Sequence, residues 1–482
     1  MNPEPHVLVI GGGISGLTAA FWLRKAGVHV DVFEASDAAG GTMKTIREDG
    51  WLVETGPNSA LETTPLFEEM FRDLGILGNR LYADPSSDNR YIVRDGALHV
   101  LPMKPGAFLT SKLWTRKAKI RLLKEPFIGR GSGEETVAAF VERRLGKEFL
   151  DYAINPFVSG VYAGDPAMLS VQSAFPKLYA LERDYGGLVR GMIGGARARR
   201  KRAEKAKDRA KMFAMADGMQ TFPDALARQL GDAFHRETEV TSLSLAGQRN
   251  GRHTFDFTLR QGTIAAQLRP DAVVLAVPAS RAGDLVGSFA PALRSMLASI
   301  YYPPVSQVFL GYRASSFSRP LNGFGYLVPA LERRSILGTI WSSSLFPHRA
   351  PAGFVALTSF VGGARQPELA GKNDDDLAVM THREIVSLLG VADPPVYRKI
   401  IRWTHAIPQY NLGHTRIMEA IDRVESANPG LFFCANYRGG IAVGDCLMSG
   451  QRIAERVLKC LGMNAASAAE SKGEHRILQA NP

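Results

Sequence analysis

The sequence predicts an α/β chain (α+β overall), and three observations predict it. Residues 6–11, HVLVIG, read as a buried strand, residues 14–26 as a helix, and residues 29–34, HVDVFE, as a second strand of alternating character. A further apolar run, Ala272-Val-Val-Leu-Ala-Val277 before Pro278, has the continuous hydrophobicity of a parallel strand covered on both faces. At 482 residues the chain exceeds one compact core, so two or three domains are expected.

The turn between the first strand and helix is Gly11-Gly12-Gly13-Ile14-Ser15-Gly16, a GxGxxG pattern. In a Rossmann-like unit the first glycine allows the tight turn, the second admits a pyrophosphate, and the third packs helix against strand. Amides at the helix start then face the phosphates. Glu34 closes the second strand 18 residues after Gly16, placed to accept hydrogen bonds from an adenosine ribose. The pattern predicts a dinucleotide without choosing between NAD and FAD. Residues 6–23 would pass for a spanning helix on hydropathy alone, but the glycine turn at their centre marks strand–turn–helix. Elsewhere no run of about 18 apolar residues occurs, and the amino terminus lacks the basic region of a signal peptide. A soluble or peripheral chain is expected.

Composition narrows the partners. Hydrophobic content of 45% with 22% charged residues is that of an ordinary globular protein. The net charge of +11 implies an acidic partner, which nucleic acid, anionic lipid or a carboxylate-rich substrate would each satisfy. No C2H2 finger, RNP signature or basic zipper is present, so no nucleic-acid partner is expected. Cys434, Cys446 and Cys460 show neither CxxC nor metal-type His spacing, which predicts reduced thiols, no disulfide framework and no metal centre.

Two stretches are strongly basic. Residues 103–124 carry seven Lys or Arg and no acid. Leu109, Leu113, Ile120 and Leu123 recur there at helical spacing with Phe108 and Trp114 nearby, predicting an amphipathic helix in a headgroup region. Residues 197–211 hold nine basic residues against two acids and suit a solvated helix or loop. The last helix is expected at about residues 447–461, after a glycine-rich turn.

Further motifs carry a family resemblance. Ala39-Gly-Gly-Thr-Met-Lys-Thr45, Asp49-Gly-Trp51 and Glu54-Thr-Gly-Pro-Asn58 resemble the extended flavin-binding segment of the amine-oxidase-like FAD superfamily. Asn436-Tyr-Arg-Gly-Gly-Ile-Ala-Val-Gly-Asp-Cys446 is similar to the segment that, in such flavoproteins, brings helix-start amides to the flavin and its ribityl chain. These segments lie more than 370 residues apart, so the cofactor domain must be discontinuous. The segments beginning at Asn155, Asp217, Leu337 and Ala406 (NPFVSGVYAGDP, DGMQTFPDAL, LGTIWSSSLFP and AIPQY) resemble the protoporphyrinogen/coproporphyrinogen oxidase family along almost the whole chain.

The resemblance implies FAD as cofactor and an FAD-dependent oxidation of a porphyrinogen by oxygen, releasing hydrogen peroxide. It assigns cofactor binding to Gly11, Gly12, Gly13, Ile14, Ser15, Gly16, Glu34, Gly41, Thr42, Gly56, Pro57, Asn58, Ser59, Val240, Ile441, Ala442, Val443, Gly444, Asp445 and Cys446. By the same resemblance Arg90 is the expected ligand of a substrate propionate, a role a guanidinium suits because it can grip a carboxylate bidentately. Leu327 and Trp341 are expected as apolar walls for the macrocycle, and Gly160 and Gly164 as sources of carbonyls for the pyrrole N–H groups. Asn58 is the candidate catalytic side chain, for proton handling beside the flavin; His405 and His414 are read as structural.

Three regions are expected. The FAD domain takes residues 1–85, 213–280 and 424–482, and a mixed-sheet substrate domain takes 86–98 and 281–423. A helical membrane-facing domain takes 99–212. The family reading implies a cytoplasmic protein peripherally attached to an anionic membrane, with a tetrapyrrole and molecular oxygen as partners. A homodimer and docking with the next haem-pathway enzyme stay open. Coproporphyrinogen III is the alternative substrate, and a non-catalytic flavoprotein scaffold is the alternative from another class.

Overall fold

The computed structural model describes residues 5–194, 210–249, 251–260, 269–318 and 320–463. Its first layer is a parallel sheet. Strand β1 (His6–Ile10) leads through the glycine turn into helix α1 (Ile14–Lys25) and strand β2 (His29–Phe33). The strand order is Phe234–His235, β2, β1, Ala272–Leu275 and Leu431–Phe433, so distant parts of the chain meet in one sheet.

Alternation along these strands sends side chains to two separate cores. Val7, Val9, Val30, Val32 and Val274 pack with α1 and the Val443–Leu461 helix. Leu8, Ile10, Phe33, Val273 and Phe433 face the ribbon of strands Val240–Arg249 and Arg252–Leu259 and the helices at 279–286, 291–298 and 414–427. Each fully buried Val, Leu or Phe contributes about 1.5–3 kcal/mol. A single polar substitution at Val9 or Val274 would therefore remove a sizeable part of the net stability of such a domain.

A second sheet of seven strands has the order Tyr397–Trp403, Val305–Arg313, Phe354–Gly362, Gly338–Ile340, Gly325–Leu327, Arg90–Arg94 and Ala97–Val100. Only the pairing of 325–327 with 90–94 is parallel. One face of this sheet, with Val93, Tyr326 and Trp341, is covered by the Asp374–Leu389 helix.

Helices between residues 105 and 194 form the remaining layer, held by buried charge. Arg144, wholly inaccessible, reaches Glu125 at 3.2 Å and Glu182 at 2.6 Å. Glu125 also accepts from the amides of Leu188 (2.7 Å) and Val189 (3.0 Å), tying the loop after residue 124 to the 188–194 helix. Burial opposes ionisation of Glu182, but its bonds from Arg143 and Arg144 prevail and hold the carboxyl down to about 2.

The basic stretch at 103–124 is not the single amphipathic helix expected. Two short helices, Pro105–Thr110 and Arg116–Leu122, flank a break, because Thr115 turns back to cap Ala118 through its hydroxyl. The apolar stripe splits accordingly: Leu113 and Trp114 are buried, whereas Leu109 is 70% and Leu123 72% exposed. Residues 197–209 of the second basic stretch lie outside the described residues. The last described helix starts at Val443, four residues before the expected start, so part of the anticipated glycine-rich turn is its first turn.

Candidate active site at the glycine-rich loops

The loop after β1 is built by close backbone approaches. Gly11 has φ +109°, where a Cβ would sit 2.6 Å from the Ala276 carbonyl oxygen. A Cβ on Gly16 would overlap the Gly11 carbonyl oxygen and lie 2.8 Å from Ala276 Cβ, so α1 approaches the sheet only because residue 16 is glycine. The Gly11 amide donates to Phe33 at 2.8 Å, and Gly12 donates to the Glu34 carboxylate at 2.7 Å. Glu34 also accepts from Ser36 N at 2.8 Å. Each of its oxygens then keeps acceptor capacity for a sugar hydroxyl.

Gly13 caps α1 with no side chain, leaving the amides of Ile14, Ser15 and Gly16 without intrahelical acceptors. A Cβ at Gly13 would meet nothing within 4 Å, and one at Gly41 would meet only Gly13 Cα. The 39–44 loop is pinned beside this opening by the Gly40 amide, which donates to Gly12 O at 2.8 Å. A second helix start adjoins the first. Ala442 precedes the Val443–Leu461 helix, leaving the amides of Val443 and Gly444 without intrahelical acceptors. This helix lies against α1, where a Cβ on Gly450 would come 2.8 Å from Ser15 O. Two helix dipoles and open backbone concavities side by side suit a diphosphate, and the donor set fits FAD.

The cysteines here are inert by environment. Burial pushes the Cys446 thiol up to about 11 and Cys434 to about 12, and all three cysteines are free thiols. Val240 opens the ribbon strand, and its carbonyl accepts from Arg281 at 2.8 Å. It lies beyond the segment that runs along Glu34, whose carbonyl accepts from Thr238 N at 2.8 Å.

The turn at Gly56, Pro57, Asn58 and Ser59 is half-buried and gripped from the second sheet. A Cβ at Gly56 would overlap the Thr42 carbonyl, so these two loops touch. Asn58 turns its amide onto Gly56 O at 3.3 Å. Sequence reasoning missed what holds this turn. Arg349 forms a buried ion pair with Glu54 and donates to Asn58 O at 3.1 Å. Gln307 donates to Glu54 O, and Trp403 Nε1 to Thr55 O at 2.7 Å. Burial pulls the Arg349 guanidinium below its ordinary value, opposed by the Glu54 carboxylate. No local motif announces these residues, since Arg349 and Glu54 lie 295 positions apart.

The expected substrate residues divide between two faces. Arg90 and Leu327 share one face of neighbouring strands, Arg90 opposite Gly325 and Leu327 opposite Ile92. The exposed Arg90 guanidinium lies 5.8 Å from the Phe324 ring centre and has no ion-pair partner among the described residues. Gly160 abuts Leu327, where a Cβ would overlap Leu327 Cδ2. Gly164, just past the end of the same helix, presses instead on Gln409.

Trp341 lies on the other face, 3% exposed, its ring 5.3 Å from Tyr91 and its Nε1 without a hydrogen-bond partner. Ile340, which the sequence reading passed over, pairs with Gly325 and so shares the face of Leu327, opposite to that of Trp341. Arg94 serves as a brace, pairing with Glu148 at 2.7 Å and lying 4.3 Å from the Tyr152 ring centre. His414, stacked on Tyr410 with centres 4.3 Å apart, is driven down to about 4 mainly by burial. The His405 ring is 3.2 Å from the neighbouring Thr404 hydroxyl.

The chain is similar to known proteins along most of its length. The profile of the flavin containing amine oxidoreductase family matches residues 14–458. Protoporphyrinogen oxidase 2 of Arabidopsis thaliana is 33% identical over 479 residues, covering 95% of this chain and 94% of its own. Coproporphyrinogen III oxidase of Bacillus subtilis (strain 168) is 27% identical over 466 residues, covering 93% and 97%. A crystal structure of an Exiguobacterium sp. 255-15 protein superposes with a TM-score of 0.76 at 22% identity, covering 95% and 99%, which supports the fold. With a family match over residues 14–458 and a relative above 30% identity, the chain belongs to the flavin-containing amine oxidoreductases, in their porphyrinogen oxidase branch, and is an FAD-dependent oxidoreductase.

Proposed function

We propose that the chain oxidises protoporphyrinogen IX to protoporphyrin IX. The observation that carries this is the Arg90–Leu327–Gly160 face, a guanidinium with no ion-pair partner among the described residues beside an apolar wall, in the same seven-stranded sheet as Gln307 and Trp403. Bound FAD supplies a two-electron acceptor, with dioxygen as terminal oxidant and hydrogen peroxide as its product. Six electrons leave the tetrapyrrole, which requires three such cycles.

The chain's own residues do the rest. Gly11–Gly16, Gly41, Thr42 and the Ile441–Cys446 segment hold the diphosphate and ribityl chain, and Glu34 holds the ribose. Arg90 grips a propionate, fixing how far the macrocycle enters. Leu327 and Ile340 give it an apolar surface and exclude water. Arg349 holds the Asn58 carbonyl, and with it the Gly56–Ser59 turn that would pack on the flavin. Asn58 has no ionisable side chain and serves as a hydrogen-bonding group in proton handling.

The test is turnover of purified, flavin-loaded protein on protoporphyrinogen IX and coproporphyrinogen III side by side, read by porphyrin fluorescence and peroxide. Preference for protoporphyrinogen is expected, consistent with the higher identity to protoporphyrinogen oxidases. Arg90→Ala should raise KM about tenfold or more with little change in kcat, as loss of a charge-assisted bond predicts. Oxidation of coproporphyrinogen alone would move the enzyme to the other substrate. Oxidation of neither, with no flavin bleaching under anaerobic porphyrinogen, would leave a scaffold.

The helical layer is proposed as the membrane-facing region, between a discontinuous FAD domain and a mixed-sheet substrate domain. No helix among the described residues is long and apolar enough to cross a membrane. Exposed Leu109, Ile120, Leu123 and Phe127 are interspersed with Lys112, Arg116, Lys117 and Lys124, as headgroup contact requires. Replacing the basic residues of 104–124 by Gln should weaken sedimentation with anionic vesicles at low salt; unchanged sedimentation would refute the assignment.

A further inference from the structure

At the end of the parallel sheet opposite the glycine turn, two strands bring together residues with no part in flavin binding. β1 and β2 run parallel with His6 directly opposite His29. Asp31, two residues further along β2, projects to the same face. The three ligating atoms all lie within 4.8 Å of one another. His6 Nε2 is 2.8 Å from Asp31 Oδ2, and the His6 and His29 rings lie 4.7 Å apart, tilted by 36°.

The surroundings hold this group in place. The other Asp31 oxygen contacts His235 Nε2 at 2.7 Å from the next strand, so the carboxylate is fixed. The His6 backbone is bound on both sides, its amide donating to Asp271 Oδ2 at 3.0 Å and its carbonyl accepting from Asp271 N at 2.8 Å. A histidine–aspartate hydrogen bond accounts for His6, and a second accounts for His235. Neither accounts for His29, whose exposed side chain makes no hydrogen bond among the described residues yet stands beside the same carboxylate.

We propose that His6, His29 and Asp31 bind a divalent transition-metal ion of the zinc class. Two imidazoles and one carboxylate form a nitrogen-rich set that favours Zn2+, Co2+ or Ni2+ over Mg2+ or Ca2+, which select oxygen. Metal–ligand distances of about 2.0–2.2 Å require the three groups to close slightly around the ion. The exposed His29 side chain is free to make that rotation. His235 acts as the outer partner that orients the carboxylate, the usual arrangement behind a ligating oxygen, and water completes the coordination. Because the ligands sit on adjacent strands at the far end from Gly11–Gly16, the ion ties the base of the native sheet and takes no part in electron transfer. The linear sequence hides the site, since one ligand stands 23 positions before the His29-Val-Asp31 pair.

The test is equilibrium dialysis of the flavin-loaded full chain against Zn2+ alone, for wild type, His29→Ala and Asp31→Asn, with zinc-edge X-ray absorption of the loaded wild type. One zinc per chain and a spectrum with two imidazole nitrogens are expected. Affinity should fall about tenfold or more in each variant, as loss of a ligand or its orientation predicts, while flavin absorbance stays unchanged. His29 is exposed, so its replacement leaves the core intact. Equal zinc binding by wild type and His29→Ala overturns the proposal. So does sulfur at the bound zinc, which would place the ion on a cysteine.

Discussion

Gly16→Ala is expected to yield protein that does not retain flavin, whereas Gly13→Ala folds normally and binds flavin weakly. The two glycines stand three residues apart and meet opposite surroundings. A Cβ at Gly16 overlaps the Gly11 carbonyl and crowds Ala276, backbone and core that cannot rotate away. Helix α1 must then lift from the sheet, at a cost of about 1–3 kcal/mol for overpacking, and its amides leave the loop. A Cβ at Gly13 meets nothing within 4 Å, so the fold bears it, yet the methyl occupies the opening between the Gly-rich turn and the 39–44 loop. Flavin affinity should drop by about tenfold or more, ~1.4 kcal/mol per decade. Flavin absorbance per protein after gel filtration and thermal unfolding of each apoprotein read the two effects separately. A Gly13→Ala protein with wild-type flavin content would show that the opening is not the diphosphate site.

Arg349→Ala is expected to destabilise the chain by roughly 3–5 kcal/mol, the cost of stranding a buried charge. Arg349 and Glu54 are both almost inaccessible, and Glu54 further accepts from Met219 N at 2.9 Å and Thr45 Oγ1 at 2.7 Å. Removing the guanidinium leaves a carboxylate facing protein and frees the Asn58 carbonyl. The double variant Glu54→Gln with Arg349→Met removes both charges and should recover part of the loss, because neither group is then left ionised without a partner. Denaturant unfolding of single and double variants, with the flavin spectrum as a local reporter, measures this. A single variant within about 1 kcal/mol of wild type would mean that solvent reaches the site and the pair carries little.

Local chemistry was legible where function depends on neighbours in sequence. The GxGxxG turn, Glu34 at the end of β2, and a glycine-rich segment before the last helix are each short-range patterns, and the structure forms them within a few residues of their expected bounds. The 103–124 stretch was less legible, since helical spacing cannot register that the Thr115 hydroxyl starts a new helix and turns Leu113 and Trp114 inward. Trp341, just past the end of a strand, shows the same limit. Successive positions project to opposite faces, so Ile340 shares the face of Leu327 and Trp341 enters the core.

The sequence by itself determined the α/β class, the glycine turn between β1 and α1, and the flavin family. Each of these is written in residue types at fixed spacing, which set backbone freedom and burial before any long-range contact forms. Tertiary structure alone decided that Arg349, Gln307 and Trp403 clamp the Glu54–Asn58 turn, that Arg90 stands beside Leu327 while Trp341 does not, and that His6 meets His29 and Asp31. The physical reason is common to all three. These contacts join elements tens to hundreds of residues apart, and only the register of strands and the packing of sheets determine which side chains share a face.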